Sequence, residues 1–257
     1  MMRKIRASGI ARYRHASGLS VKGRDHAEAL SLDCGGRRHR IECDTVLLHH
    51  GVVPNVQASR ALGMTHTWDA AQHCFRPETD QWGESSIPGI FVAGDGAGIA
   101  GAKAAALRGR LAALQAGFQL KAMAADARDR LAAPFLRGLR NEQAIRPFLD
   151  TAYPPYPGAL APADATIICR CEEVTAGDVR RYAGLGCLGP NQTKAFGRVG
   201  MGPCQGRYCG LTVNSVLAAA NKQSEDATGY YRIRPPLKPV TLGEIAAMQD
   251  NDKDISA

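Results

Sequence analysis

The sequence predicts an α/β domain followed by a compact, cysteine-bearing domain that binds metal. Short apolar segments bounded by Gly, Pro and Asn occupy the first hundred residues, as buried strands do, and a stretch rich in Ala, Leu, Lys and Arg follows them. Pro154-Pro155-Tyr156-Pro157 then breaks the pattern, because each proline lacks a donor and restricts the residue before it. Beyond the break, Cys169, Cys171, Cys204 and Cys209 stand in two motifs with metal-ligand spacing.

The elements follow in order. The first fifty residues read as a β-meander: a partly alternating strand over 27–33, a hairpin turn at Gly35-Gly36 and a return strand through His39-Arg40-Ile41-Glu42. Residues 44–48 read as a buried strand entering the turn Gly51-Val52-Val53-Pro54-Asn55. Residues 90–93 read as a second, closed by Gly94-Asp95-Gly96. From about Ala102 to Arg130 the composition favours helix, with Gly109 and Gly117 weakening it locally. The predicted division is an α/β domain over 1–130, a proline-rich linker over 131–163, the cysteine domain over 164–222 and an extended tail over 223–257 that packs on another element.

Composition narrows the function. The 257 residues are 45% hydrophobic and 22% charged, as in ordinary globular proteins. The net charge of +8 comes from dispersed arginines with few aromatics among them, which argues against a nucleic-acid groove built on stacking platforms. No apolar run approaches the ~18 residues of a membrane span, and the basic start has no signal-peptide core behind it. The expectation is a cytoplasmic protein, in which eight cysteines point to metal or redox chemistry before disulfides.

The two motifs are Cys169-Arg170-Cys171 and Cys204-Gln205-Gly206-Arg207-Tyr208-Cys209. Two thiolates one residue apart can reach one iron from a single extended turn, and the second pair can reach another from a loop leading into a helix. Four thiolates without histidine suit an iron–sulfur cluster or a closed zinc site. Gly200, Gly202, Gly206 and Gly210 let backbone N–H groups turn toward sulfur, and Arg170, Lys194, Arg198 and Arg207 can offset its charge. Cys187 is the one rival ligand; Cys34, Cys43 and Cys74 have no partner at metal spacing.

The segments Ile168-Cys169-Arg170-Cys171-Glu172-Glu173-Val174 and Gly200-Met201-Gly202-Pro203-Cys204-Gln205-Gly206-Arg207-Tyr208-Cys209, with Gly189-Pro190-Asn191-Gln192 between them, resemble the bacterioferritin-associated-ferredoxin-like [2Fe–2S] domain. More narrowly, they resemble the version fused to FAD-binding A (alpha) subunits of the opine oxidase, hydrogen cyanide synthase and hydroxyproline dehydrogenase type. The resemblance implies a small α-helical domain whose ligands are Cys169, Cys171, Cys204 and Cys209.

Gly96-Ala97-Gly98-Ile99-Ala100-Gly101 also matches G-x-G-x-x-G, but no second strand or ribose-binding acid follows, so a literal dinucleotide-binding unit does not fit. Residues 85–95, ending in Gly94-Asp95, instead resemble the second FAD motif of glutathione-reductase-like flavoproteins. That likeness implies a flavin contact at Asp95, with Gly94, Gly96, Gly101 and Ala102 forming the turn and helix start beside the cofactor. A plain helix cap at Asp95 is the alternative. Gly83 stands where the motif usually opens with threonine. Residues 46–55 resemble the strand and turn where such flavoproteins return from the NAD-binding region to the FAD domain, in which an acidic residue often stands at the place of His50; His49 and His50 are read as structural.

No amino-terminal G-x-G-x-x-G precedes Ile41, so the expectation is the carboxyl-terminal half of such a subunit. The resulting reading is a partial FAD/NAD(P)-binding domain, then a [2Fe–2S] domain, in an FAD-dependent oxidoreductase subunit. It would relay electrons for a flavoprotein partner subunit that oxidises an amine, imino acid or opine, with no acid–base or nucleophilic residue of its own. The rival class is a non-catalytic iron–sulfur or zinc module that docks a partner protein.

Overall fold

The computed structural model describes Lys4 and residues 7–248 in two compact units, 1–49 and 50–257. Residues 249–257 of the predicted tail lie outside the described residues.

The first unit is an antiparallel meander, β1 (Ser17–Lys22), β2 (Ala29–Cys34) and β3 (Arg37–Glu42), with β2 central. Gly35 and Gly36 have φ of 59° and 72° and join Cys34 to its partner Arg37, the doubly left-handed turn that a tight hairpin requires. Ala29 and Leu32 are buried, on opposite faces of β2. The strand predicted over 44–48 does not form: Leu47 is 91% and Leu48 70% exposed. A strand needs a ladder partner for its N–H and C=O groups, and among the described residues nothing pairs with this segment.

The second unit opens with α1 (Gln57–Ala61) and the hairpin β4 (His66–Asp69) and β5 (Cys74–Pro77). Residues 90–93 are also not a regular strand. They are held by an isolated bridge between Glu84 and Phe91 and by the Val92 N–H on the Gly83 carbonyl at 2.7 Å. A short 3₁₀ turn (Gly94–Ala97) leads into α2 (Ala102–Gln119) and α3 (Ala125–Gln143), which pack through Leu111, Ala132 and Trp82. The Arg128 guanidinium covers Trp82 and Phe118 and donates to Gln115 at 2.8 Å.

The predicted boundary at 130 falls inside α3, and the predicted linker over 131–163 is largely helical. Ala, Leu and Arg carry the helix past Pro134, and α4 (Arg146–Ala152) and α5 (Pro157–Leu160) follow. Only residues 153–156, at the prolines, are non-helical between those two.

A small, mostly helical region comes next. The β-ladder β6 (Ile167–Cys169) and β7 (Val174–Thr175) enters α6 (Ala176–Gly184), whose start is a capping box between Thr175 and Asp178. Then come α7 (Pro190–Gly197) and the largely buried α8 (Gly210–Asn221), which carries Val213, Val216 and Leu217 into the core. The predicted extended tail contains two short helices, α9 (Glu225–Thr228) and α10 (Leu242–Ala246), joined by an irregular arm. The arm packs back on the cysteine region: Tyr231 and Ile233 are buried there, while Arg232 and Arg234 face outward. The side-chain amide of Asn191 on α7 clasps it like a neighbouring strand, accepting from Arg232 N–H at 2.9 Å and donating to the Tyr230 carbonyl at 3.2 Å.

Candidate functional site

The two cysteine motifs meet. Cys169 ends β6, Cys171 follows in the turn, Cys204 lies in the loop after α7, and Cys209 caps α8. Cys171 Sγ stands 3.7 Å from Cys204 Sγ, and the buried Cys169 thiol lies near enough to the buried Cys209 thiol to perturb it. The sulfurs therefore stand as two pairs, each drawn from both motifs, and not one pair per motif as the spacing suggested. Cys169 and Cys209 are buried, Cys204 is half-buried and Cys171 is exposed.

The backbone around these thiols is turned toward sulfur. Gly200 N–H donates to Cys169 Sγ at 3.4 Å. Burial raises the Cys204 pKa, but the N–H groups of Tyr208, Gly206 and Arg207 and the Cys171 thiol overcome it and leave it lowered. Cys209, buried and beside Cys169, is pushed up. A Cβ on Gly202 would lie 2.1 Å from Cys171 Cβ, so the close approach of the two motifs requires glycine there. The buried Tyr231 hydroxyl lies against Cys209 and Cys169 and finds no standard hydrogen-bond partner among the described residues. Such a donor suits a thiolate-rich centre. As the side chains stand, no group of three or more His, Cys, Asp or Glu among the described residues is arranged to hold a metal ion.

The remaining cysteines stand apart. Cys187 is buried in the helical core, where burial raises its thiol pKa. Cys34 donates to the Arg14 carbonyl at 3.1 Å. Cys74 is pushed up to about 12, by burial first and then by Asp69 and Asp150.

The Gly94–Gly101 loop is closed on itself. One Asp95 carboxylate oxygen accepts from Ala100 N–H (3.1 Å) and Gly101 N–H (3.3 Å) just before α2 begins at Ala102. Arg108, one and a half turns into α2, donates to the Gly94 and Gly98 carbonyls at 3.0 and 2.6 Å. Gly96 packs on Val92, and Gly94 and Gly101 hold φ of 77° and 96°. Asp95 thus closes its own loop with one oxygen, and α2 itself starts at Gly101 without a side-chain cap. Beside the loop lies a cavity of about 270 Å³ lined by Trp82, Val92, Ala97, Arg76, Arg108 and Arg140. Sequence reasoning missed these arginines, which come from β5, α2 and α3 and share no local pattern.

His50 stacks on Tyr156, with centroids 5.5 Å apart, at the edge of a cavity of about 370 Å³. The Arg146–Asp150 ion pair within α4 lines the same cavity.

Comparison with known proteins bears on both parts of the chain. Residues 1–118 match the family described as pyridine nucleotide-disulphide oxidoreductase, and residues 164–249 match the sarcosine oxidase A3 domain. Along both parts the chain is related to FAD-dependent oxidoreductases. It is 42% identical over 246 residues to an opine oxidase subunit of Rhizobium meliloti (strain 1021), covering 94% of this chain and 52% of that protein. It is 36% identical over 203 residues to hydrogen cyanide synthase subunit HcnB of Pseudomonas aeruginosa, covering 78% and 43%. The chain spans about half the length of the curated relatives it matches. The structure of L-proline dehydrogenase from P. horikoshii superposes with a TM-score of 0.71 at 20% identity, over 94% of this chain and 46% of that one. That likeness shows a shared fold. No helix among the described residues is long and apolar enough to cross a membrane.

Proposed function

We propose that this chain is the electron-relaying part of a flavin-dependent oxidoreductase that oxidises an amine, imino acid or opine. In this reading Cys169, Cys171, Cys204 and Cys209 hold a [2Fe–2S] cluster. The carrying observation is the convergence of four thiols from two distant motifs in two close pairs, with Gly200, Gly206, Arg207 and Tyr208 N–H groups aimed at sulfur. A binuclear cluster takes two thiolates per iron, so two pairs suit it better than a single convergent point does. The bound cluster supplies one-electron chemistry, which links a two-electron flavin to a one-electron acceptor. The chain's own residues hold the thiolates, orient N–H donors and exclude water with Tyr231, Val199 and Val213.

The Gly94–Gly101 loop is the chain's contribution to an FAD site. One Asp95 oxygen already caps the loop, and the other remains for a ligand hydroxyl; Arg76, Arg108 and Arg140 line the neighbouring cavity with positive charge suited to an anionic cofactor. Relatives named as subunits support a flavoprotein partner subunit, and reduced thiols fit the cytoplasm.

Anaerobic purification followed by metal and sulfide analysis, absorption and EPR tests the cluster. The expected result is two irons per chain and a reducible rhombic signal, lost in Cys204→Ser and Cys169→Ser but kept in Cys187→Ser. A colourless protein containing zinc overturns it.

A further inference from the structure

In the cysteine region Arg180 pairs with Asp164, Arg181 with Asp178 and Arg198 with Glu172. Three further cations share one groove. Lys194 on α7 and Arg232 and Arg234 on the arm line a groove of about 210 Å³, and among the described residues none of the three has an ion-pair partner. The architecture enforces their proximity. Asn191 clasps the arm, Lys194 lies three residues further along the same helix face, and Arg232 and Arg234 point outward because Tyr231 and Ile233 are locked in the core. Lys194 is half-buried and faces Arg234, and burial followed by that like charge lowers its pKa. The fold therefore holds Lys194 against Arg234, with Arg232 on the same groove, an arrangement that a negatively charged occupant would relieve.

The groove's place says what the occupant does. Its other walls are Gly200, Gln205 and Tyr231. Gly200 donates to Cys169, Gln205 follows Cys204, and Tyr231 lies against Cys209. A molecule seated there is one layer of protein from the thiols. The two arginines are exposed and spread along an open arm, an arrangement that matches carboxylates dispersed over a protein surface better than one compact phosphate. Met201, also in the groove, is 44% exposed and adds an apolar contact.

We propose that Lys194, Arg232 and Arg234 form the docking site for the acidic face of a one-electron carrier protein. The docking itself stands on this groove alone; its use for electron exit rests on the cluster reading above. Two carriers, each reduced by one electron, would accept the two electrons released in one C–N oxidation.

The test uses an acidic flavodoxin as probe, with binding measured by calorimetry at about 20 mM salt, where charge is least screened. Binding is expected to weaken at least about tenfold in the triple variant Lys194→Glu, Arg232→Glu, Arg234→Glu. It should weaken by less than about threefold in a control of equal charge change, Lys121→Glu, Arg137→Glu, Lys222→Glu. The Lys194→Gln, Arg232→Gln, Arg234→Gln variant, milder for folding, should fall between them. Equal weakening by both Glu triples shows that net charge alone attracts the probe and overturns the site, as does no salt-dependent binding. Micromolar binding of inorganic pyrophosphate, lost in the first triple while flavodoxin fails to bind, overturns it in favour of a small-anion site. Iron analysis of the same samples separates the two proposals: a chain without iron that still docks refutes only the cluster, and an iron-loaded chain that does not dock refutes only the docking.

Discussion

The cysteine site and the Gly94–Gly101 loop share one compact unit but are assembled in opposite ways. The first joins segments 33 residues apart, Cys171 to Cys204, and seals them under Tyr231 from a third segment. The second satisfies itself: Asp95 accepts from residues five and six positions on, and Arg108 clamps two carbonyls of the same loop. A site made from distant segments depends on the whole region being folded, so changes there act on stability and ligation together. A self-closed loop keeps its shape whatever binds beside it, so changes there can separate cofactor binding from folding.

The largest effect should come from Gly202→Ala, since its Cβ would meet Cys171 Cβ at 2.1 Å and neither atom can rotate away. A loss of about 3 kcal/mol is expected, together with loss of iron, read by denaturant titration and metal analysis. A tolerated alanine with full iron content would show that the two motifs do not approach this closely. Next is Asn214→Ala. Its buried amide donates to the Glu225 and Gly229 carbonyls at 2.8 and 2.6 Å, holding the turn from which the arm departs. Removing it strands both acceptors, at about 2 kcal/mol by chemical denaturation.

Asp95→Ala should cost only about 1 kcal/mol, since it takes the acceptor from the Ala100 and Gly101 N–H groups at the surface of the loop. In the full-length protein its flavin content should fall while the iron signal stays intact; unchanged flavin would leave Asp95 only as a closure of its own loop. The smallest effect concerns His66, whose ring receives Ser59 and contacts the Met64 carbonyl, both at 2.8 Å. Burial first, and Arg60 second, bring its pKa from 6.5 to about 4. The unfolded chain then binds the extra proton between these values, so stability is complete above about pH 6.5 and declines as the pH falls toward 4. With the ring half-exposed, solvent screening keeps this below about 1 kcal/mol. Thermal melts of His66→Gln should show a flatter slope over that window.

The amino-acid pattern alone determined the features whose causes are local or chemical. Gly35-Gly36 specified its hairpin because only glycine takes two successive left-handed residues without strain. The four cysteines and their flanking glycines stood out by spacing, and the fold brings their two motifs together; what they bind is the proposal above. Tertiary structure decided the rest. The apolar runs 44–48 and 90–93 were strands by composition, but a strand exists only with a ladder partner: among the described residues 44–48 has none, and 90–93 has only the isolated bridge between Glu84 and Phe91. The break at the prolines was visible, but helical propensity carried α3 past residue 130. The pairing of thiols across motifs, the arginines around the loop cavity, and the union of Lys194 with Arg232 and Arg234 had no sequence signal. Each joins residues from segments that meet only when the core closes, and burial of Tyr231 and Ile233, not spacing, sets where they point.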